Sequence, residues 1–301
     1  METPAYLPPQ GSPHRAWLDL AFELVDAADA ISMRHFRRDL HVETKPDRSF
    51  VTQADTAIER LVKERLAASL PTHGVVGEEY GETPSAEGFR WFVDPIDGTH
   101  NYIRGIPVFA TLLALDGPHG LEVGMVSAPA LGSRWYAWRR GGAWALDQDG
   151  ARAVDHGTRG ARRLRVSGVE RVEDAQLLSS SLIALSGSAA VPGFAATFRR
   201  AWRERGFGDF WGYTLVAEGA AEAMVEVGIS SWDIAPLRLL VEEAGGRLTD
   251  LDGVPTIHGA GAIASNGLLH DELVRSLHAH PEGGLPEAEP PRQSAAAEGS
   301  I

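Results

Sequence analysis

The tightest constraint in this chain lies in the segment Trp91-Phe92-Val93-Asp94-Pro95-Ile96-Asp97-Gly98-Thr99-His100-Asn101. Its apolar run, Trp91 to Val93, reads as the end of a buried strand, and Asp-Pro predicts the stop. Pro95 has no N–H to give a sheet ladder and fixes its own φ, so the chain is expected to turn there. Asp94 and Asp97 then stand on either side of a rigid turn, followed at once by Gly98 and Thr99. Two carboxylates this close repel each other and stay ionised only with a cation between them. Hard divalent cations such as Mg²⁺ take oxygen ligands of this kind and keep positions open for water and phosphate oxygens. Taken alone, the segment also reads as a surface turn with an acid at each end.

Two further acidic spots narrow the choice. Gly77-Glu78-Glu79 follows the short apolar run Gly74-Val75-Val76, which again sets a carboxylate at the end of a predicted strand. Ser231-Trp232-Asp233-Ile234-Ala235-Pro236 opens an apolar, helix-period segment through Leu237, Leu240 and Val241. Asp233 by itself would serve as a helix N-cap. In this order, the Gly-Glu-Glu, the Asp-Pro-Ile-Asp-Gly-Thr and the Trp-Asp-Ile-Ala resemble the inositol monophosphatase family, a branch of the lithium-sensitive, Mg²⁺-dependent sugar phosphatases. The resemblance spans roughly residues 14 to 279 and implies an α+β fold, a layered αβαβα sandwich.

Composition is compatible with that resemblance and excludes other classes. A net charge of −13 with no basic stripe argues against nucleic acid as a main partner. A negative protein that handles a negative phosphate needs local positive charge, which bound metal ions supply. The absence of cysteine excludes disulfides and thiolate metal sites. No signal-peptide pattern opens the chain, and no apolar run approaches the ~20 residues that span a bilayer. A cytoplasmic protein without a membrane partner is the expectation.

Along the chain, Met1–Pro13 is Pro-rich and expected to be a disordered tail, as is the Pro/Glu/Ala/Ser-rich stretch 280–301, leaving one domain over 14–279. Helical spacing of Trp17, Leu20, Leu24, Val25, Ala28 and Ile31 predicts a helix from His14 to about Arg38. Thr52 and Asp55 suit the N-cap and N3 positions of a capping box opening a second helix. Apolar runs at 108–115, 121–126 and 135–138, separated by glycines, predict antiparallel strands. Further strands are expected at 162–166, 177–182, 223–227 and 262–265. Helices are expected at 194–205, 213–221, 233–244 and 268–278.

The family resemblance assigns roles. It implies that Glu78, Asp94 and the carbonyl of Ile96 hold one Mg²⁺, that Asp94, Asp97 and Asp233 hold a second, and that a third, weaker ion sits beside Glu78. Thr99 and Asp55 would orient the attacking water, with Glu78 at the catalytic centre, and the N–H groups of Gly98 and Thr99 would cradle the phosphate. Residues 41–50 would form a mobile hairpin carrying Lys45 towards the metals, and Lys45 equally reads as a solvated loop lysine. Glu79 is expected outside the ligand shell. A homodimer is implied.

For the leaving group, Glu226 matches a family acid that meets substrate hydroxyls or an amine, although it also reads as an acid at a strand end. Gly208-Asp209-Phe210, with Tyr213 beyond, Asn101-Tyr102-Ile103-Arg104-Gly105 and Val126-Ser127-Ala128-Pro129-Ala130 resemble the histidinol-phosphate phosphatases of the superfamily. A substrate with an ammonium and an imidazole would gain charge-assisted hydrogen bonds from acids here. Asp209 also fits a plain turn after Gly208. The alternatives are an inositol-phosphate or broader sugar-phosphate phosphatase, and a non-catalytic interaction protein of the same fold.

Overall fold

The computed structural model describes residues 6–38, 40–46, 49–147 and 161–280. Helix α1 (Pro13–His35) leads into a hairpin of β1 (Val42–Thr44) and β2 (Phe50–Thr52), then α2 (Gln53–Ser69), β3 (Gly74–Gly77), β4 (Gly81–Thr83) and β5 (Arg90–Asp97). The short helix α3 (Thr99–Ile103) precedes the meander β6 (Ala110–Gly117), β7 (Gly120–Ala128), β8 (Ser133–Trp138), β9 (Gly142–Asp147), with β10 (Arg162–Arg163) added at its edge. The second half runs β11 (Gln176–Ser179), α4 (Leu182–Ser186), α5 (Phe194–Arg200), β12 (Arg203–Arg205), α6 (Asp209–Ala217) and β13 (Ala223–Val227). It ends with α7 (Ser231–Glu243), β14 (Arg247–Thr249), β15 (Gly261–Ser265) and α8 (His270–His278).

Strand alternation sorts these elements into five layers. In β5, Trp91 and Val93 join the core made by α1 and α2, whereas Phe92 joins the core made by α6 and α7, as a two-residue side-chain period requires. In β13, Met224 faces that same middle core, and Ala223 and Val225 face α4, α5 and α8. The order is therefore α1/α2, an eight-stranded sheet, α6/α7, a five-stranded sheet, and α4/α5/α8: the layered αβαβα sandwich. Gly124 of β7 seats α7, because a Cβ there would come within 2.9 Å of the carbonyl of Pro236.

Several expectations are corrected. Pro95 does not end β5. The strand passes through a bulge, with Asp94 opposite Leu112 and Asp97 opposite Ala110, a position in a sheet that a residue without an N–H can occupy. The meander is antiparallel as predicted, but β3 runs parallel to β5, and β11 runs parallel to both β12 and β13. The helix expected over 194–205 stops at Arg200 and the chain re-enters a sheet as β12, while α6 begins at Asp209, before Tyr213. The strand expected at 162–166 is reduced to two residues. Met1–Ala5 and 281–301 lie outside the described residues. Within the stretch expected to be an N-terminal tail, Leu7 is buried, the Tyr6 carbonyl accepts a hydrogen bond from Tyr136, and the Tyr6 ring meets Trp144 edge-on.

Candidate active site

Phase along β5 fixes where its acids point. Asp94 has the parity of Phe92 and faces the middle helical layer, where the first turn of α7 presents Asp233. The bulge turns Asp97 to the same side: the Ile96 N–H donates to Asp94 Oδ1 at 2.9 Å, and Thr111 Oγ1 donates to the Pro95 carbonyl at 2.8 Å. One carboxylate oxygen from each of Asp94, Asp97 and Asp233 lies within 4.8 Å of the others. Asp233 is also the N3 residue of a capping box, its Oδ2 accepting from the Ser230 N–H at 2.7 Å. The capping and cluster readings of Asp233 therefore hold together.

This cluster is costly without a cation. Burial raises the pKa of Asp94 well above the carboxylate range, and the charges of Glu78, Asp97 and Asp233 raise it further. Asp97 is shifted the same way by burial and by Asp209 and Asp233. Asp233 is pushed up to about 7, mainly by burial. Hard oxygen donors this close and this dehydrated match a divalent cation.

Glu78 follows β3, whose parallel pairing with β5 sets Gly77 beside Val93. The Glu78 carboxylate stands apart from the three converging acids and accepts from Lys45 Nζ at 2.8 Å. The same ammonium reaches Glu79 Oε1 at 2.8 Å. Burial works against the charge on Lys45, but the hydrogen bonds to Glu78 and Glu79 outweigh it and raise its pKa. Lys45 thus sits in the β1–β2 hairpin over the acidic site, paired with two carboxylates. The tip of that hairpin, residues 47–48, lies outside the described residues.

Asp55 forms the predicted capping box, taking the Thr52 N–H at 2.8 Å and the Thr52 hydroxyl at 2.5 Å, both on Oδ2. Its Oδ1 is buried and has no hydrogen-bond partner among the described residues. A buried acceptor without a donor calls for a water or an ion, the second sign that the site is built around a group it would bind. Burial pushes Asp55 up to about 6, against the hydrogen bonds from Thr52. The Thr99 hydroxyl donates to the Ile96 carbonyl at 2.9 Å rather than to Asp55. Gly98 caps α3 at φ 82°, where a Cβ would come within 3.0 Å of the Val108 carbonyl. A left-handed residue in so tight a space is glycine's role.

Close to Asp97 and Asp233 stand the two acids singled out for the leaving group. Asp209 opens α6 with φ 54°, and the next N–H, that of Phe210, donates to Asp97 Oδ2 at 2.6 Å. Glu226 lies in β13 on the face of Met224, its Oε2 accepting from the Tyr213 hydroxyl at 2.8 Å. Burial pushes Glu226 up to about 8, and Asp209 and Asp233 add to the shift. Asp209 and Glu226 both raise Asp97, so all three belong to one electrostatic site.

Three residues at the site escaped the sequence reading. Tyr213, to which the sequence assigns no role of its own, orients Glu226. Asn101 donates Nδ2–H to Asp209 Oδ2 at 2.9 Å. Glu59, fully buried, accepts the N–H groups of Glu79 and Tyr80 at 2.6 and 2.9 Å and so anchors the turn that carries Glu78. The available signal for Glu59 was its place one helical turn beyond Asp55, on the same face of α2.

A layered αβαβα core closing on clustered carboxylates is the architecture of the metal-dependent sugar phosphatases. The chain belongs to the inositol monophosphatase family, whose model matches residues 14–282. It is 46% identical over 263 residues to the histidinol-phosphatase of Mycobacterium tuberculosis (87% of this chain, 98% of the relative). Against the histidinol-phosphatase of Streptomyces coelicolor the identity is 45% over 266 residues (87% and 96%). The inositol-1-monophosphatase of Rhizobium meliloti is 33% identical over 235 residues (75% and 81%). Among solved structures, the extragenic suppressor protein SuhB of Bartonella henselae superposes with a TM-score of 0.77 at 27% identity, covering 87% of this chain and 98% of that one.

Proposed function

We propose that this protein is a Mg²⁺-dependent histidinol-phosphatase, hydrolysing L-histidinol phosphate to L-histidinol and inorganic phosphate in histidine biosynthesis. The observation that carries the reading is the 45–46% identity, over 87% of this chain, to two histidinol-phosphatases, against 33% to an inositol-1-monophosphatase. The acids beside Asp97 support it, since Asp209 and Glu226 suit a leaving group that carries positive charge better than a neutral polyol.

Glu78, Asp94 and the Ile96 carbonyl would hold one Mg²⁺, and Asp94, Asp97 and Asp233 a second, with a third, weaker position beside Glu78. When bound, such ions supply Lewis-acid charge to the phosphoryl oxygens and lower the pKa of a coordinated water. The rest falls to the chain. Asp55 Oδ1, the acceptor left open by its capping bonds, takes the proton of the attacking water as that oxygen bonds to phosphorus and the ester P–O bond breaks, and the departing alkoxide takes up a proton from solvent water to leave as the alcohol. A base shifted up to about 6 is suited to that work near neutral pH. Thr99 fixes the water through its hydroxyl, and the N–H groups of Gly98 and Thr99 hold the phosphate oxygens. Lys45 orients Glu78, and Asp209 with Glu226 takes the cationic end of the alcohol. A homodimer acting in the cytoplasm completes the proposal; among the described residues no helix is long and apolar enough to cross a membrane.

The test is a panel of phosphate monoesters, each assayed with and without Mg²⁺. L-histidinol phosphate should be turned over with the highest kcat/KM. Preference for myo-inositol 1-phosphate would move the assignment to an inositol-phosphate phosphatase, and no turnover of any ester would favour the non-catalytic alternative.

A further inference from the structure

Beside Asp209 opens a cleft of about 400 Å³, lined among others by Asn101, Ile106, Ser180, Phe207, Asp209 and Trp211. Its walls are unlike the carboxylate cluster of Asp94, Asp97 and Asp233. Phe207 and Trp211 stand with ring centroids 4.9 Å apart and tilted by 32°, and Ile106 is partly exposed at 45%. Aromatic and aliphatic walls with one acid and one amide make a site for a flat ring that carries charge.

The acid in this cleft is held with unusual care. Asp209 occupies the left-handed region at φ 54°, one of three non-glycine residues with positive φ among the described residues. Such a conformation persists only where its surroundings over-determine it. Two bonds do so here. The Phe210 N–H is tied to Asp97 Oδ2 at 2.6 Å, and the side chain is tied to Asn101 Nδ2 at 2.9 Å. Asn101 uses one oxygen of Asp209, Oδ2, and Oδ1 makes no hydrogen bond to the described protein. Asn101 is itself fixed, since it lies in α3 and its carbonyl accepts the Ile106 N–H at 2.9 Å. An amide donor is well chosen, because it orients the carboxylate without neutralising it as Lys or Arg would.

We propose that Asn101 is a specificity-determining positioning residue: it holds Asp209 against the Phe207–Trp211 cleft so that the free carboxylate oxygen receives the imidazole end of the leaving alcohol. This rests on the histidinol-phosphatase reading and deepens it by naming where the ring goes. Asn101 bonds Asp209 and none of the three clustered acids, so the residue acts on which ester is accepted. Hydrolysis of an ester with no ring and no cation does not call on it.

Asn101→Ala and Asn101→Ser test the proposal with L-histidinol phosphate and, as a control ester, glycerol 2-phosphate. Competitive inhibition by L-histidinol is measured alongside. Alanine should lower kcat/KM for histidinol phosphate by about 10- to 100-fold, the scale for a hydrogen bond that orients a charged group. The fall should appear mainly in KM, and L-histidinol inhibition should weaken in parallel. The control ester should change by less than about 3-fold, and serine, which keeps a short donor, should recover part of the loss. Equal loss on both esters, or unaltered inhibition by L-histidinol, would overturn the proposal. Wild-type enzyme that prefers histidinol phosphate while the variants keep that preference refutes the role of Asn101 alone. Wild-type enzyme without the preference removes the histidinol reading, and this proposal with it.

Discussion

Asp94→Asn should stabilise the metal-free protein and destroy the enzyme. Asp94 is 2% exposed and shares a 4.8 Å cluster with Asp97 and Asp233. Two unit charges at that separation repel by roughly 3.5 kcal/mol at an effective dielectric of 20. The cluster relieves part of this by keeping protons, which is why Asp94, Asp97 and Asp233 are all raised. A net gain of about 1–3 kcal/mol is therefore expected near pH 8 without metal, or roughly 2–10 °C in Tm for a chain of this size. Asparagine keeps the side-chain volume and the oxygen that accepts the Ile96 N–H, so no cavity or lost acceptor offsets the gain. Saturating Mg²⁺ should reverse the order. Wild type gains about 2.7 kcal/mol at a hundred times Kd, and the variant, short of one charge of the cluster, gains little. Scanning calorimetry in EDTA and in Mg²⁺, with phosphate release on the same samples, reads both halves. A lower Tm for the variant in EDTA, or turnover near wild type in Mg²⁺, would refute the reasoning.

Three further outcomes follow from the same geometry. Thr99→Ala should cut kcat by about 10²-fold with KM within about 3-fold, as expected for a group that aligns the water in the transition state; a pure KM effect in steady-state kinetics would restrict Thr99 to phosphate binding. Asp233, raised to about 7, and Glu226, raised to about 8, are acids whose folded pKa lies above the unfolded value, so their contribution is full below about pH 4 and lost as pH rises through 7 to 8. The Tm of the metal-free protein should therefore fall between about pH 4.5 and 8 and level off above that, and the rise in Tm on adding Mg²⁺ should grow across the same window; a flat metal-free profile would contradict this. Asp209→Asn should cost roughly 1.5–3 kcal/mol in kcat/KM for L-histidinol phosphate and little for an ester with no cation, with equal slowing of both as the contrary result.

Much of this site was legible because its signals are local. The capping box of Thr52 and Asp55, the acid after β3 and the acid in the first turn of α7 are each read within a few residues. Alternation in β5 then decides which helical layer Asp94 faces. What the sequence concealed depends on partners far along the chain. Pro95 reads as a stop, and only pairing with β6 turns it into a bulge that Thr111 satisfies. Strands of two or three residues such as β4, β10, β12 and β14 are too short to show a period, and their existence follows from the neighbours they pair with. The parallel pairings of β3 and β11 leave no local mark, since a crossover has no turn of its own to read. Glu59 and Asn101 look like ordinary polar residues of helical segments, and their bonds reach 20 and 108 positions away.

The central claim is tested most directly by phosphate release from L-histidinol phosphate and from myo-inositol 1-phosphate, measured on one preparation in Mg²⁺ and in EDTA. The account predicts turnover in Mg²⁺ alone and a kcat/KM at least ~10²-fold higher for the histidinol ester, a margin that a site built on polar partners can reach. Turnover that persists in EDTA, or a preference for the inositol ester, would contradict it.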